Sequence, residues 1–235
     1  MNQNRRRALL SGMLIGLVFT LTAGCTPASN GPDKAGSGGQ AGPKPAIQRY
    51  TGEKSREIPF VYTAKKELSL TFNGMGDRET MYRLLDELDT YRIQATFFLP
   101  GMRVAEEPDI AAEILARGHE IENNTLNQLD LKNLDYEQIY KEIELSNEVI
   151  EKQTGVKPKY VRTKSGDYPK DVPLIAAQLG MKGVVSYNIN PRDRDMQDAK
   201  AIGDYVKRYI HRGGIISLNT DINPENVTFD VIADR

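Results

Sequence analysis

Polar side chains gather at five points of this 235-residue chain, and each point follows a short apolar run of β-strand type. Asn73 and Gly74 stand in Thr71-Phe-Asn-Gly-Met-Gly76. Asn124 and Gln128 stand in Glu120-Ile-Glu-Asn-Asn-Thr-Leu-Asn-Gln128. Arg162 opens Arg162-Thr-Lys-Ser-Gly166. Tyr187, Asn190 and Asp193 lie in Tyr187-Asn-Ile-Asn-Pro-Arg-Asp-Arg194, and Asn219 ends Ile215-Ile-Ser-Leu-Asn219. The carboxyl ends of strands are where α/β proteins place their chemistry. Here the chemistry on offer is mostly hydrogen bonding. A carboxamide takes no proton at neutral pH, so Asn73 and Asn219 are unfit as general base or acid. Asn124 and Gln128 keep an i, i+4 spacing, but zinc prefers imidazole, thiolate and carboxylate to carboxamide oxygen. The same amides suit sugar hydroxyls, or one another. Asp77, Asp193 and Asp221 are carboxylates that would have to converge to hold a cation, and their spacing gives no support for that. Asp77 is better placed to cap a helix. Of the two histidines, His119 starts an expected strand and His211 precedes the last one. They are expected on the opposite, amino-terminal face as surface or capping residues.

The elements that would hold these clusters follow from periodicity. Strands are expected at Leu68–Phe72, Ala95–Leu99, His119–Asn123, Lys159–Arg162, Lys182–Tyr187 and Gly214–Leu218. Between them lie helices at Arg78–Tyr91, Pro108–Arg117, Asp135–Gln153, Val172–Leu179 and Asp198–His211. Met81, Leu84, Leu85 and Leu88 mark the apolar stripe of the first, and Tyr136, Ile139, Ile143 and Ile150 that of the third. Strand and helix alternating over short links imply an α/β fold with a parallel sheet, either doubly wound or closed as a barrel. The sequence ends soon after the last expected strand. The domain is therefore expected to be left open, or to continue beyond Arg235.

Net charge is −1 and the isoelectric point about 6.2. No basic stripe argues for nucleic acid. Tryptophan is absent and aromatics make up 7%, modest for a surface that stacks on sugars. The amino terminus reads as a processing segment. Arg5, Arg6 and Arg7 precede an apolar run from Leu9 to Leu21, short for the ~20 residues of a membrane span. Small residues then lead to Cys25, the single cysteine. Residues 1–25 are expected to be a lipoprotein signal with Cys25 lipidated, which places the chain on the outer face of a bacterial cytoplasmic membrane. A lone cysteine cannot form an internal disulfide, which agrees with lipidation. Residues 26–57, rich in Gly, Pro and Ser, are expected to be a flexible tether, and 58–235 the domain.

In order and at each strand end, residues 58–223 resemble the polysaccharide deacetylase family (the NodB homology domain, carbohydrate esterase family 4). The family motifs are T-F-D-D-G, E-I-G-N-H-T-x-x-H, R-P-P-Y/F-G, W-S-x-D-x-x-D-W and I-I-L-L-H-D. The resemblance implies a distorted, incomplete (β/α) barrel of about six to seven parallel strands, with a groove at their carboxyl ends. It also implies metal-dependent N-deacetylation, a hydrolysis of non-peptide C–N bonds, with a divalent metal, typically zinc. The family's base falls on Asn73, its metal ligands on Gly74, Asn124 and Gln128, and its acid on Asn219. Arg162, Gly166 and Asp193 are kept, and Arg194 replaces a tryptophan of the groove wall. In the family this arginine orients the catalytic aspartate; with Asn73 there instead, Arg162 is expected to seek another anion. No bound metal or other cofactor is expected.

The expected function is therefore a lipoprotein module in cell-wall carbohydrate metabolism that binds glycan through Asn73, Asn124, Gln128, Arg162, Tyr187, Asn190, Asp193 and Asn219 without cutting it. Its partners would be a cell-wall polysaccharide or peptidoglycan, the membrane through Cys25, and an active deacetylase domain or subunit. Two alternatives stay open: an active N-deacetylase with shifted ligands, and a lipoprotein that makes only protein contacts.

Overall fold

The computed structural model describes residues 46–221 apart from Gln197. The expected signal segment, Cys25 and the chain after Asp221 lie outside the described residues. Seven strands form one sheet: β1 (Arg56–Ile58), β2 (Ser69–Asn73), β3 (Thr96–Leu99), β4 (Glu120–Asn123), β5 (Tyr160–Val161), β6 (Gly183–Val185) and β7 (Ile215–Asn219). Their order is β1-β6-β5-β4-β3-β2-β7 and every pairing is parallel. Parallel neighbours need crossovers, which the helices supply. These are α1 (Arg78–Thr90), α2 (Gly101–Glu106), α3 (Pro108–Ala116), α4 (Tyr136–Thr154), α5 (Val172–Gln178) and α6 (Ala199–Tyr209). No ladder joins β1 to β7 among the described residues. The sheet is a curled, open (β/α) barrel, parallel as the periodicity implied and incomplete as the resemblance implied.

The helices form where their apolar stripes call for them. Met81, Leu84, Leu85 and Leu88 are all buried in α1, and Tyr136, Ile139, Ile143 and Ile150 in α4. Asp77 caps α1 by accepting from Thr80 N–H at 2.8 Å, and Asp135 and Gln138 close a capping box on α4. One apolar cluster fills the space between β2, β3, β4 and helices α1, α3 and α6, with Phe72 and Phe97 stacked at 5.0 Å. A second lies under α4 and α5 against β5 and β6.

Three expectations are corrected. The tether was expected to run to residue 57, yet the chain packs on the domain well before that. Arg49 pairs with Asp171 at 2.8 Å, Tyr50 N–H donates to the Tyr136 hydroxyl at 3.0 Å, and Arg56–Ile58 is itself edge strand β1. Helix α2, between Pro100 and Pro108, was not expected. His119 stands just before its strand and is buried rather than on the surface. Its Nδ1 accepts from Ala95 N–H at 3.3 Å, its ring meets the Phe97 ring at 5.4 Å, and burial lowers its pKa.

Candidate functional site

At the carboxyl end of the sheet lies a cleft of about 510 Å³, lined among others by Asn73, Tyr187, Asn190, Asp193, Ser217 and Asn219. Strand alternation explains the set. Residues i and i+2 of a strand share a face, so Thr71 and Asn73 of β2 point the same way as Ser217 and Asn219 of β7. Those two strands are in register, Thr71 opposite Ser217 and Asn73 opposite Asn219. The segment after β6 then crosses to the outer edge of β7. Ile189 bridges to Ile216, and Ile189 N–H donates to Ile215 O at 3.1 Å. That crossing delivers Asn190, Asp193 and Arg194 to the cleft.

Beneath the cleft stands Arg162, the largest fully buried side chain. Its Nε donates to Val185 O at 3.2 Å and its Nη2 to Ser186 O at 3.1 Å. Its Nη1 donates to Thr71 Oγ1 at 2.7 Å and to Asn73 Oδ1 at 3.2 Å. The guanidinium lies 3.9 Å from the centre of the Phe98 ring and 5.7 Å from that of Tyr187, in the range of cation–π attraction. Burial lowers its pKa to about 9, so it is charged at neutral pH. Among the described residues the expected anionic partner is not there. Carbonyl dipoles, a hydroxyl, a carboxamide and two aromatic faces hold the charge instead. Gly166 makes room for this packing, since a Cβ there would come within 2.8 Å of the Tyr187 ring.

Asp193 is buried and accepts twice from Asn219, from N–H and from Nδ2, each at 2.6 Å. Burial raises its pKa, and the Asn219 bonds act against that rise. Asn219 thus keeps a carboxylate–side-chain pair in which only the carboxylate titrates.

The residues at the family's ligand positions make no metal site. Gly74 has no side chain, and its φ of +80° suits the turn after β2. A Cβ on Gly74 would lie 2.9 Å from Asp221 Cγ, so the Asp221 carboxylate already occupies that volume. Arg194 Nη2 holds it at 2.7 and 2.8 Å. Asn124 is fully buried. Its Oδ1 accepts from Gly74 N–H at 3.3 Å and from Gln128 Nε2, and its Nδ2 donates to Arg162 O at 2.8 Å. These two amides tie the β2 turn to the end of β5 rather than facing the cleft. Asp77, Asp193 and Asp221 each have their own partner, and among the described residues no three His, Cys, Asp or Glu side chains are grouped to hold a metal. The residues present do not fit the divalent metal that the family implies.

The polysaccharide deacetylase family model matches residues 61–184, more than half of the chain. The chain belongs to the polysaccharide deacetylase family. Among its relatives, the uncharacterized protein YlxY of Bacillus subtilis is 31% identical over 164 residues, covering 69% of this chain and 51% of YlxY. The chain therefore spans about half the length of that relative. A peptidoglycan-N-acetylglucosamine deacetylase of Bacillus cereus is 29% identical over 78% of this chain and 84% of its own. Among solved structures, a carbohydrate esterase family 4 pseudoenzyme from Bacillus anthracis superimposes with a TM-score of 0.68 at 26% identity, over 72% of this chain and 60% of that one. A mutant of that pseudoenzyme described as having restored activity gives 0.71 at 25%, over 77% and 66%. Within the family frame, the residues sequence reading passed over are Thr71 and Ser217. Both face inward by simple alternation with Asn73 and Asn219, and that was the available signal.

Proposed function

We propose that this family member is a membrane-tethered glycan-binding module of the cell wall that does not hydrolyse its ligand. One observation carries the reading. The positions where the family resemblance puts base, acid and metal ligands hold Asn73, Asn219, Gly74, Asn124 and Gln128, and the amides of Asn124 and Gln128 are tied into internal hydrogen bonds. Removing a catalytic unit leaves binding and positioning. A cleft remains, with polar walls of the kind that orient a hydroxyl-rich ligand. The relatives named for peptidoglycan and chitooligosaccharide support a polymer of that type, and the pseudoenzyme neighbour supports a fold that outlives its activity. The Arg-rich start, apolar run and Cys25 support lipid anchoring outside the cytoplasmic membrane.

The test is metal analysis of the purified chain, acetate release from acetylated chitooligosaccharide and peptidoglycan, and retention of the chain on both. The expected outcome is retention without stoichiometric zinc and without acetate. Stoichiometric zinc accompanied by acetate release overturns the reading.

A further inference from the structure

Arg162 is a buried cation with no carboxylate against it among the described residues, and the groups in front of it form a one-way chain of donors toward the cleft. A guanidinium has only donors, so Asn73 must turn its Oδ1 inward to Arg162. Its Nδ2 then faces away and donates to Ser217 Oγ at 2.7 Å. Ser217, having accepted, keeps its own hydrogen to give. Thr71 takes a parallel course inside the barrel, accepting from Arg162 and donating to Ile216 O at 2.6 Å. Guanidinium, carboxamide and hydroxyl thus point the same way, each bond polarising the next. Asn73 and Ser217 both line the cleft.

The other charges do not cancel this arrangement. Among the described residues the titratable side chain beside Arg162 is Tyr187, its ring centre 5.7 Å from the guanidinium. Both Asp193 oxygens already accept from Asn219, and Arg194 is held by Asp221. The charged side chains lining the cleft balance in number, Lys164, Arg192 and Arg194 with Asp130, Asp193 and Asp195, so the charge of Arg162 behind them is left over. A surface of donors backed by a buried positive charge is complementary to an anionic oxygen.

We propose that the cleft takes a carbohydrate bearing a carboxylate, received by Asn73 and Ser217 in front of Arg162. The inference rests on the glycan-binding reading and narrows it to acidic sugars. The carboxylate could belong to a lactyl ether on an amino sugar or to a uronic acid ring. Titration of the full chain in detergent with two matched pairs separates these sources: N-acetylmuramic acid against N-acetylglucosamine, and glucuronic acid against glucose. In at least one pair the acid is expected to bind about tenfold more tightly, about 1.4 kcal/mol. Asn73→Asp is nearly isosteric and gives Arg162 its counter-anion, so it is expected to erase that preference. Ser217→Ala is expected to weaken the acid several-fold and the neutral sugar little. Equal binding within both pairs overturns the proposal, as does a preference that survives both substitutions. Binding of none of the four sugars while cell-wall polymers are still retained overturns it too. Loss of polymer retention as well overturns the glycan reading itself.

Discussion

Arg162 and Gly74 show how a single side chain, or its lack, sets the character of the cleft. The sequence places both at strand ends and shows which charges are missing. It does not show where the amides turn, because a carboxamide can donate or accept, and the choice is made by neighbours distant in the chain. Asn124 illustrates this: it was expected to face ligand, and it ties Gly74, Gln128 and the end of β5 together. Arg162→Met would remove the partner of Thr71, Asn73 and two carbonyls. It is expected to destabilise the fold by about 3 kcal/mol, read as a lower urea midpoint. Gly74→Asp puts a side chain at φ +80° and its Cβ 2.9 Å from Asp221 Cγ. A loss of about 2 kcal/mol or more is expected. Adding Asp221→Ala to Gly74→Asp is expected to return part of it, and additive effects in that double variant would show that the two sites are uncoupled.

Elements with a clear period were legible, and those without one were not. Helices α1 and α4 lie where their apolar stripes put them. Strand β1 is three residues, Arg-Glu-Ile, partly exposed at the sheet edge, too short for alternation to register. Helix α2 is six residues with two buried positions, fewer than a stripe needs. Strand β5 is two residues long and meets β4 through the single pair Asn123–Val161. Glu122 compensates for that short ladder. Its Oε2 accepts from Lys159 N–H and Tyr160 N–H, both at 2.7 Å, and burial raises its pKa to about 7. The folded protein therefore holds this proton more tightly than the unfolded chain, whose value is near 4.5. The stability so conferred is full below about pH 4.5, falls as pH rises through the window and is gone above about 7. Its ceiling is about 3 kcal/mol. Urea midpoints taken across that window are expected to decline for the native chain and to stay flatter for Glu122→Gln, whose carboxamide oxygen still accepts both bonds. In α4, Asp135→Ala removes the cap and half of the capping box. It is expected to lower stability by about 1 kcal/mol, measured the same way.

At the scale of the whole molecule, the parallel α/β sheet follows from alternation, and the open barrel and the family from five motifs in order. The start of the domain was harder to place. Residues 46–55 carry no period, and their attachment depends on partners far along the chain, such as Pro173 O for Ser55 N–H at 3.0 Å. No helix among the described residues is long and apolar enough to cross a membrane. The proposed lipid anchoring rests on Cys25, which lies outside those residues. Cys25→Ser is expected to move the chain from the membrane pellet to the soluble fraction of lysed cells. An unchanged distribution would remove the lipid from the account.

Asp221 also bears on what position 74 can accept. With its carboxylate lodged over Gly74 and held by Arg194, it stands in the way of any side chain introduced at position 74. A side chain at position 74 calls for a second change at Asp221, and that change releases Arg194 from its partner. Positions 74 and 221 are thus interlocked, and neither can be redesigned without the other.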